Sequence, residues 1–264
     1  KLTHEIRVAQ FAGYVSEHSC YHHGEMSLNK AIVNQAQEFV GSNNINPLLP
    51  NGQFGTRLEG GKDSASERYI FTMLNPITRF IFPKEDEYIL NYLDDDGTRV
   101  EPDWYVPIIP MILVNGGKGI GTGFSYEGLC YNPTQIIDYL KYAIKKPEKK
   151  NKNKIEPYYE GFKGKIIKIE KDKFLYKGNY DIISHDTIRI TELPIGTWTS
   201  DYKAFLETLI EDKTKSGKKK QPIVKTYIDS CTDTIIEFTV KLHLGKLPDL
   251  ISNNVTKHVN QLEK

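Results

Sequence analysis

The sequence predicts a mixed α+β fold in two parts, residues 1–125 and 126–264. Two helical apolar stripes joined by a short polar turn open the first part, and strand patterns close it, which is a winged-helix arrangement. Near Tyr126 the composition shifts to recurrent strand patterns around amphipathic helices, a mixed α/β arrangement.

Residues 5–17 read as a helix because Ile6, Ala9, Gln10 and Tyr14 recur at helical spacing. The polar turn 17–25 follows. Ser27 is the expected N-cap of a second helix, with Leu28, Ala31, Ile32, Gln35, Ala36 and Phe39 on one face. A Gly-rich loop over 41–62 leads to an expected third helix over 64–82, and 106–115 reads as a buried strand ahead of a glycine loop at 116–123. Beyond Tyr126, an amphipathic helix carries Ile136, Ile137, Leu140, Tyr142 and Ile144. Strand patterns follow at 164–170, 173–184, 187–193 and 233–242. Ser200 is the expected cap of a helix whose apolar set Tyr202, Phe205, Leu206, Leu209 and Ile210 keeps the i, i+3, i+4, i+7, i+8 spacing. Lysine-rich loops at 145–154 and 213–220 read as solvated segments.

Composition bounds the function. With 264 residues, 39% hydrophobic and 26% charged, the chain is long enough for a sizeable core. No apolar run approaches the ~20 residues of a membrane span. Residues 1–7 look like neither a signal peptide nor a translation start, so the chain is expected to be a piece of a longer one. Three scattered cysteines, Cys20, Cys130 and Cys231, offer no disulfide framework. Residues 1–125 hold 10 Lys/Arg against 15 Asp/Glu, mildly against a nucleic-acid binder. The acids are clustered, however: residues 85–125 hold 8 acids and 2 bases, and residues 1–84 are near balance.

Arg68-Tyr69 is one candidate centre. A tyrosine hydroxyl can attack phosphorus and store the ester energy in a phosphotyrosine, but a free phenol titrates near ~10 and needs cations beside it. Arg68, Arg57 and Lys62 are candidates to stabilise the developing charge. Taken alone, the dipeptide and its spacing favour the plainer reading, Tyr69 as a packed surface residue. The turn with His18, Cys20, His22, His23 and Glu25 hints at zinc, yet no distant pair completes a tetrahedral site. His22-His23-Gly24 before a capped helix suits phosphate better, and a packing role is the bland alternative. The glycine loop 115–123 fails both the G-x-G-x-x-G and the P-loop spacing, since Lys118 is followed by Gly119. Ile120 is its large apolar side chain, either a wedge for a duplex or a core residue. Asp94-Asp95-Asp96-Gly97 reads as an exposed hairpin turn rather than a metal site.

These segments together resemble eukaryotic-type DNA topoisomerase II, of the type IIA topoisomerases. The resemblance rests on Tyr-His-His-Gly-Glu-Met-Ser-Leu (21–28), Phe-Val-Gly-Ser-Asn-Asn (39–44), Gly-Gln-Phe-Gly-Thr-Arg-Leu (52–58), Gly-Gly-Lys-Asp-Ser-Ala-Ser (60–66) and Arg-Tyr-Ile-Phe-Thr (68–72). It continues through Val-Glu-Pro-Asp-Trp-Tyr (100–105), Pro-Met-Ile-Leu-Val-Asn-Gly (110–116), Gly-Ile-Gly-Thr-Gly (119–123), Ile-Thr-Glu-Leu-Pro (190–194) and Thr-Trp-Thr (197–199). It is close to about residue 125 and patchier to about 242.

The resemblance implies that Tyr69 is the nucleophile that forms a 5′-phosphotyrosyl link, with Arg68 and His23 supporting the scissile phosphate. It implies that Ile120 wedges between base pairs and that Met26 lies where DNA-intercalating poisons bind. His22, Lys30, Arg57 and Lys62 are further candidate DNA contacts. In family terms 1–125 is the winged-helix domain and 126–264 the beginning of a tower domain. Double-stranded DNA, a second copy in a homodimer and a TOPRIM domain of the same enzyme are the implied partners, in the nucleus and without a membrane. Mg²⁺ and ATP are implied for the full enzyme, both held outside this chain, so no residue here is expected to ligate metal. The competing readings are a non-catalytic winged-helix DNA-binding module and, less favoured by the spacings, a phosphate-binding enzyme built on the glycine loop.

Overall fold

A computed structural model describes residues 2, 4–149, 154–171, 173–211 and 221–263. The fold is mixed α+β, as expected. It divides into two compact units, one of Lys1–Thr56 with Gly61–Glu160, the other of Arg57–Gly60 with Gly161–Lys264. The break in packing falls at 160/161, not at the compositional shift near 125/126. The four residues Arg57–Gly60 pack with the second unit although their chain neighbours belong to the first.

The first unit opens with β1 (Ile6–Arg7), α1 (Val8–His18) and α2 (Glu25–Ala36), the helix-turn-helix that the periodicity predicts. Gly24, not Ser27, caps α2, so the helix starts earlier than expected. Two strands follow, β2 (Leu48–Asn51) and β3 (Phe71–Leu74), and β3 lies between β1 and β2 in a small antiparallel sheet. Val8, Ala12, Ile32, Val33, Ala36, Leu48, Phe54 and Ile70 form the core under these elements.

The helix expected over 64–82 is absent. Residues 64–70 are irregular, β3 takes 71–74, and only α3 (Thr78–Ile81) is helical. Ile70-Phe71-Thr72 favours a strand, Thr72 is fully buried in it, and Pro76 bars a helix from continuing through Asn75. An acidic hairpin follows, β4 (Tyr92–Asp95) and β5 (Thr98–Pro102). Its turn is the exposed one expected: Asp96 and Gly97 have φ of 50° and 84°, and Asp94 Oδ1 accepts from the Gly97 N–H at 2.9 Å.

The strand expected over 106–115 is instead a proline-bounded stretch and a short helix, α4 (Met111–Val114), because Pro107 and Pro110 cannot donate to a ladder. The glycine stretch after it is not a loop but a hairpin, β6 (Gly117–Gly121) and β7 (Phe124–Gly128). Next comes α5 (Pro133–Lys145), capped by the Asn132 side chain, which accepts from the Thr134 N–H.

The second unit contains a hairpin, β8 (Lys165–Glu170) and β9 (Lys173–Lys177), then β10 (Asn179–Ile182), β11 (Thr187–Glu192) and α6 (Thr199–Ile210). The strand expected over 173–184 is interrupted at Gly178, where a Cβ would collide with the Glu192 carbonyl oxygen. β12 (Val224–Asp229), which the pattern did not indicate, and β13 (Phe238–Leu242), shorter than the expected 233–242, complete a sheet of order β10-β11-β13-β12. α7 (Lys246–Ser252), β14 (Asn254–Thr256) and β15 (Val259–Asn260) follow. The loop at 213–220 and residues 150–153 of the other lysine-rich loop lie outside the described residues. No helix among the described residues is long and apolar enough to cross a membrane.

The core of the second unit packs α6 and α7 against the sheet through Leu206, Leu247, Ile188, Val240 and the fully buried Phe238. Phe238→Ala is therefore expected to cost about 3–5 kcal/mol of stability, read from thermal or urea unfolding. A cost below about 1 kcal/mol would show that this sheet is not held by its central aromatic.

Candidate nucleic-acid cleavage site

Tyr69 sits in a turn that two elements hold from below. Its N–H donates to the Ser66 carbonyl at 2.9 Å. The next residue, Ile70, is buried in the helix-turn-helix core and leads directly into β3. The same turn closes the start of α1: the Val8 and Ala9 N–H groups donate to the carbonyls of Ile70 (3.0 Å) and Glu67 (3.2 Å). Helix N-termini carry unpaired N–H groups, and here the tyrosine's own turn satisfies two of them. The backbone is fixed while the side chain is left free, 70% exposed. No side chain among the described residues hydrogen-bonds its hydroxyl.

Arg68 lies against it, with its guanidinium carbon 5.4 Å from the Tyr69 ring centre. Arg68 Nε is oriented by the Ser66 hydroxyl at 3.4 Å. A cation beside an unencumbered phenol can attract a phosphodiester and stabilise the charge that develops when the oxygen attacks.

His23 is exposed at the start of α2, and its ring meets the edge of Tyr21, with centroids 5.4 Å apart. Among the described residues no hydrogen bond or ring contact joins it to Tyr69. His22 faces Asp95 of the acidic hairpin at 3.5 Å. His18 stacks on Tyr14 and bonds its carbonyl, so it is a packing residue. Among the described residues no group of three or more His, Cys, Asp or Glu is placed to hold a metal ion. Cys130 is equally inert at neutral pH, because burial pushes its thiol up to about 11. Lys30 and Lys62 are exposed, and Met26 projects almost fully from the first turn of α2.

Ile120 stands near the end of the β6–β7 hairpin, opposite Ser125 and 85% exposed, with Phe124 beside the turn equally bare. It is no core residue. The flanking Gly119 and Gly121 give it no side-chain neighbours, and the two-residue turn closes with Gly123 at φ 77°. The arm is anchored at its base, where a Cβ on Gly116 would lie 2.5 Å from the Gly128 carbonyl oxygen.

Arg57 departs from expectation. It is 4% exposed, its guanidinium is paired with Glu192, and it donates to the Leu193 carbonyl at 3.0 Å. A guanidinium so enclosed is not presented to a phosphate. Its motif, Gly-Thr-Arg-Leu, looks like an anion-binding loop, and only its partner 135 positions away in sequence shows otherwise.

The model of the DNA gyrase/topoisomerase IV A-subunit family matches residues 1–264. The chain belongs to this family. Among its relatives, a DNA topoisomerase 2 of Caenorhabditis elegans is 51% identical over 247 residues, covering 93% of this chain and 16% of the relative. The DNA topoisomerase 2 of Pisum sativum is 46% identical over 258 residues, 97% of this chain and 17% of that protein. The crystal structure of the Plasmodium falciparum topoisomerase II DNA-binding, cleavage and re-ligation domain superposes with a TM-score of 0.88 at 48% identity, over 94% of this chain and 33% of that one. The chain thus spans about a sixth of the length of these topoisomerase relatives.

Proposed function

We propose that this chain is the strand-cleaving segment of a type IIA DNA topoisomerase, with Tyr69 as its nucleophile. The observation that carries the reading is the exposed, unpartnered Tyr69 hydroxyl on a backbone turn locked between a helix start and a strand, with Arg68 against the ring. In the forward step the phenol gives up its proton as its oxygen bonds to a DNA phosphorus, and the 3′ oxygen leaves with a proton in its place, so the 5′ end stays on the protein. Attack by that 3′ hydroxyl reverses the step and reseals the strand. The energy of the broken bond is retained in the ester, which is what resealing without a nucleotide cofactor at this centre requires.

Arg68 and His23 support the charge on the phosphorus, and His22, Lys30, Lys62 and Met26 flank the DNA. Phosphate contacts of this kind set register and carry no sequence information. Ile120 is the wedge that opens a base step. In this reading residues 1–125 act as the winged-helix domain and 126–264 as the start of a tower, within a nuclear homodimer that passes one duplex through another. Mg²⁺ would neutralise the phosphate when bound, and ATP would drive the passage. Among the described residues no group of three or more His, Cys, Asp or Glu is placed to hold the metal; Asp94 accepts from the N–H of Gly97 in its own turn and Asp95 faces His22. Both groups belong in this reading to domains outside the chain, a TOPRIM domain for the metal.

The test is to stop the full enzyme on end-labelled DNA with denaturant, digest it, and locate the nucleotide-bearing peptide by mass spectrometry. An adduct on Tyr69 supports the reading. An adduct on another residue of this chain would remove Tyr69 from the chemistry, and no adduct on the chain leaves the non-catalytic winged-helix module. The 264-residue chain alone is expected to show neither cleavage nor ATP hydrolysis with or without Mg²⁺. Metal-dependent nicking by the pure chain would place the carboxylates within it.

A further inference from the structure

We infer that Asn44 and Asn115 are positioning residues that hold the Ile120 arm in register with Tyr69, an inference that rests on the readings of Tyr69 as nucleophile and Ile120 as wedge. The opened base step and the attacking oxygen must meet one duplex together. An error of about 1 Å in such placement costs on the order of 100-fold in rate. The β6–β7 arm is a sheet of two strands only, so its direction is set where its two stems enter the body.

Both stems are gripped by one short segment. Asn115, just before the arm, donates from Nδ2 to the Ile45 carbonyl at 2.7 Å and accepts the Ile45 N–H on Oδ1 at 3.0 Å. One side-chain amide thus serves the donor and the acceptor of one residue, as a neighbouring strand would. Asn44 gathers carbonyls from three stretches of chain. Its Nδ2 donates to Val114 at 2.9 Å and to Tyr158 at 3.0 Å, and it shares one of its two hydrogens with Tyr131 at 3.3 Å. Its Oδ1 accepts the Glu160 N–H at 2.8 Å. Val114 and Asn115 lead into β6, and Tyr131 lies just past β7.

The same segment is bonded without a break to the backbone of the nucleophile. Asn43 Nδ2 donates to the carbonyls of Asn34 (2.7 Å) and Gln37 (2.8 Å) at the end of α2. Asn75 donates from Nδ2 to the Asn46 carbonyl at 2.8 Å and from its N–H to the Pro47 carbonyl at 2.9 Å. β2 then pairs with β3 in continuous register, from Leu48↔Leu74 to Asn51↔Phe71. The fully buried Thr72 adds a hydroxyl bond to the Leu49 carbonyl at 2.9 Å. Phe71 begins β3 directly after Tyr69-Ile70. Residues 43–51 therefore join the stems of the arm to the strand that leaves the Tyr69 turn, all inside one compact unit. A contiguous hydrogen-bonded path of this kind is what can carry placement from one site to another. It gives the motifs over 39–44 and 110–116 a use that neither the nucleophile nor the wedge supplies.

The test uses the full enzyme, with bending by energy transfer between the duplex ends, single-turnover cleavage at saturating DNA and melting temperature as readouts. Asn115→Ala releases one stem while Ile120 and its hairpin stay intact. It is expected to bend DNA as the unsubstituted enzyme does, yet to cleave on the order of 10- to 100-fold more slowly. The Ile45 backbone groups lose their partner, so its melting temperature falls, and rates are measured well below it. Asn115→Gln keeps both hydrogen-bonding groups but sets them one methylene further out. It should melt closer to the unsubstituted enzyme and still cleave slowly at normal bending. A merely structural loss would lower bending and cleavage together. Normal cleavage in either folded variant would overturn the inference, as would a parallel fall in bending and cleavage. Ile120→Ala and the unsubstituted enzyme are run alongside. Unchanged bending in the first, or no Tyr69 adduct from the second, would overturn the readings of Ile120 and Tyr69 themselves, results distinct from normal cleavage in the Asn115 variants.

Discussion

Tyr69→Phe is expected to abolish covalent DNA cleavage by the full enzyme while DNA binding and folding survive. The substitution removes one oxygen from a side chain that is 70% exposed and has no hydrogen-bond partner among the described residues. Stability should therefore stay within about 0.5 kcal/mol of the original. The DNA contacts proposed for Arg68, Lys30 and Lys62 do not involve that oxygen, so affinity should hold. Cleavage, by contrast, has no other phenol in this turn to fall back on. Loss of a nucleophile outright costs on the order of 10⁶ in rate in hydrolases where it has been measured, which here means no detectable adduct. The measurement is the protein-linked DNA recovered after denaturation, beside a binding isotherm on the same duplex. Residual adduct in the variant would remove Tyr69 from the chemistry.

The second large effect concerns Ile120. As an exposed residue on a hairpin arm, it contributes almost nothing to the fold, so Ile120→Ala should leave unfolding within about 0.5 kcal/mol. Had it been a core residue, truncation would cost about 2–5 kcal/mol. Its proposed work is done only in the complex. Burying an isoleucine between bases recovers about 1.5–3 kcal/mol of apolar transfer energy, against an unstacking cost of a few kcal/mol. Without that contribution the bent state is less populated, and cleavage should fall by roughly 10- to 100-fold. Bending followed by fluorescence energy transfer between the duplex ends checks this directly. Unchanged bending alongside normal cleavage would leave Ile120 without a role in DNA.

Both variants probe residues that the family motifs single out and that composition and spacing do not. Arg68-Tyr69 is a common dipeptide, and neither composition nor spacing distinguishes it among 16 tyrosines. Its segment even looked helical, because Ile70, Met73 and Leu74 fit a helical stripe as well as a strand. The choice is made by pairing: β3 gains ladder partners on both sides, from β1 and β2, which no local helix could offer. The same competition turned the glycine stretch into a hairpin. Its residues forbid neither, and the register Ile120↔Ser125 settles it.

What the sequence determined by itself is what short-range physics controls. The helix-turn-helix, α5 and α6 follow from apolar periodicity, the Asp96-Gly97 hairpin from the need for positive φ, and the family from ten motifs in one order. Tertiary structure decided the rest. It buried Arg57, because an arginine in a glycine-rich loop is a phosphate ligand or a packing residue according to whether a carboxylate is near, and Glu192 is near only in the fold. It showed β12, whose residues carry no alternation until β13 pairs with them. It also left Tyr69 bare while fixing its backbone. Exposure and rigidity at one residue depend on its surroundings in space, and a linear pattern of residue types does not encode them.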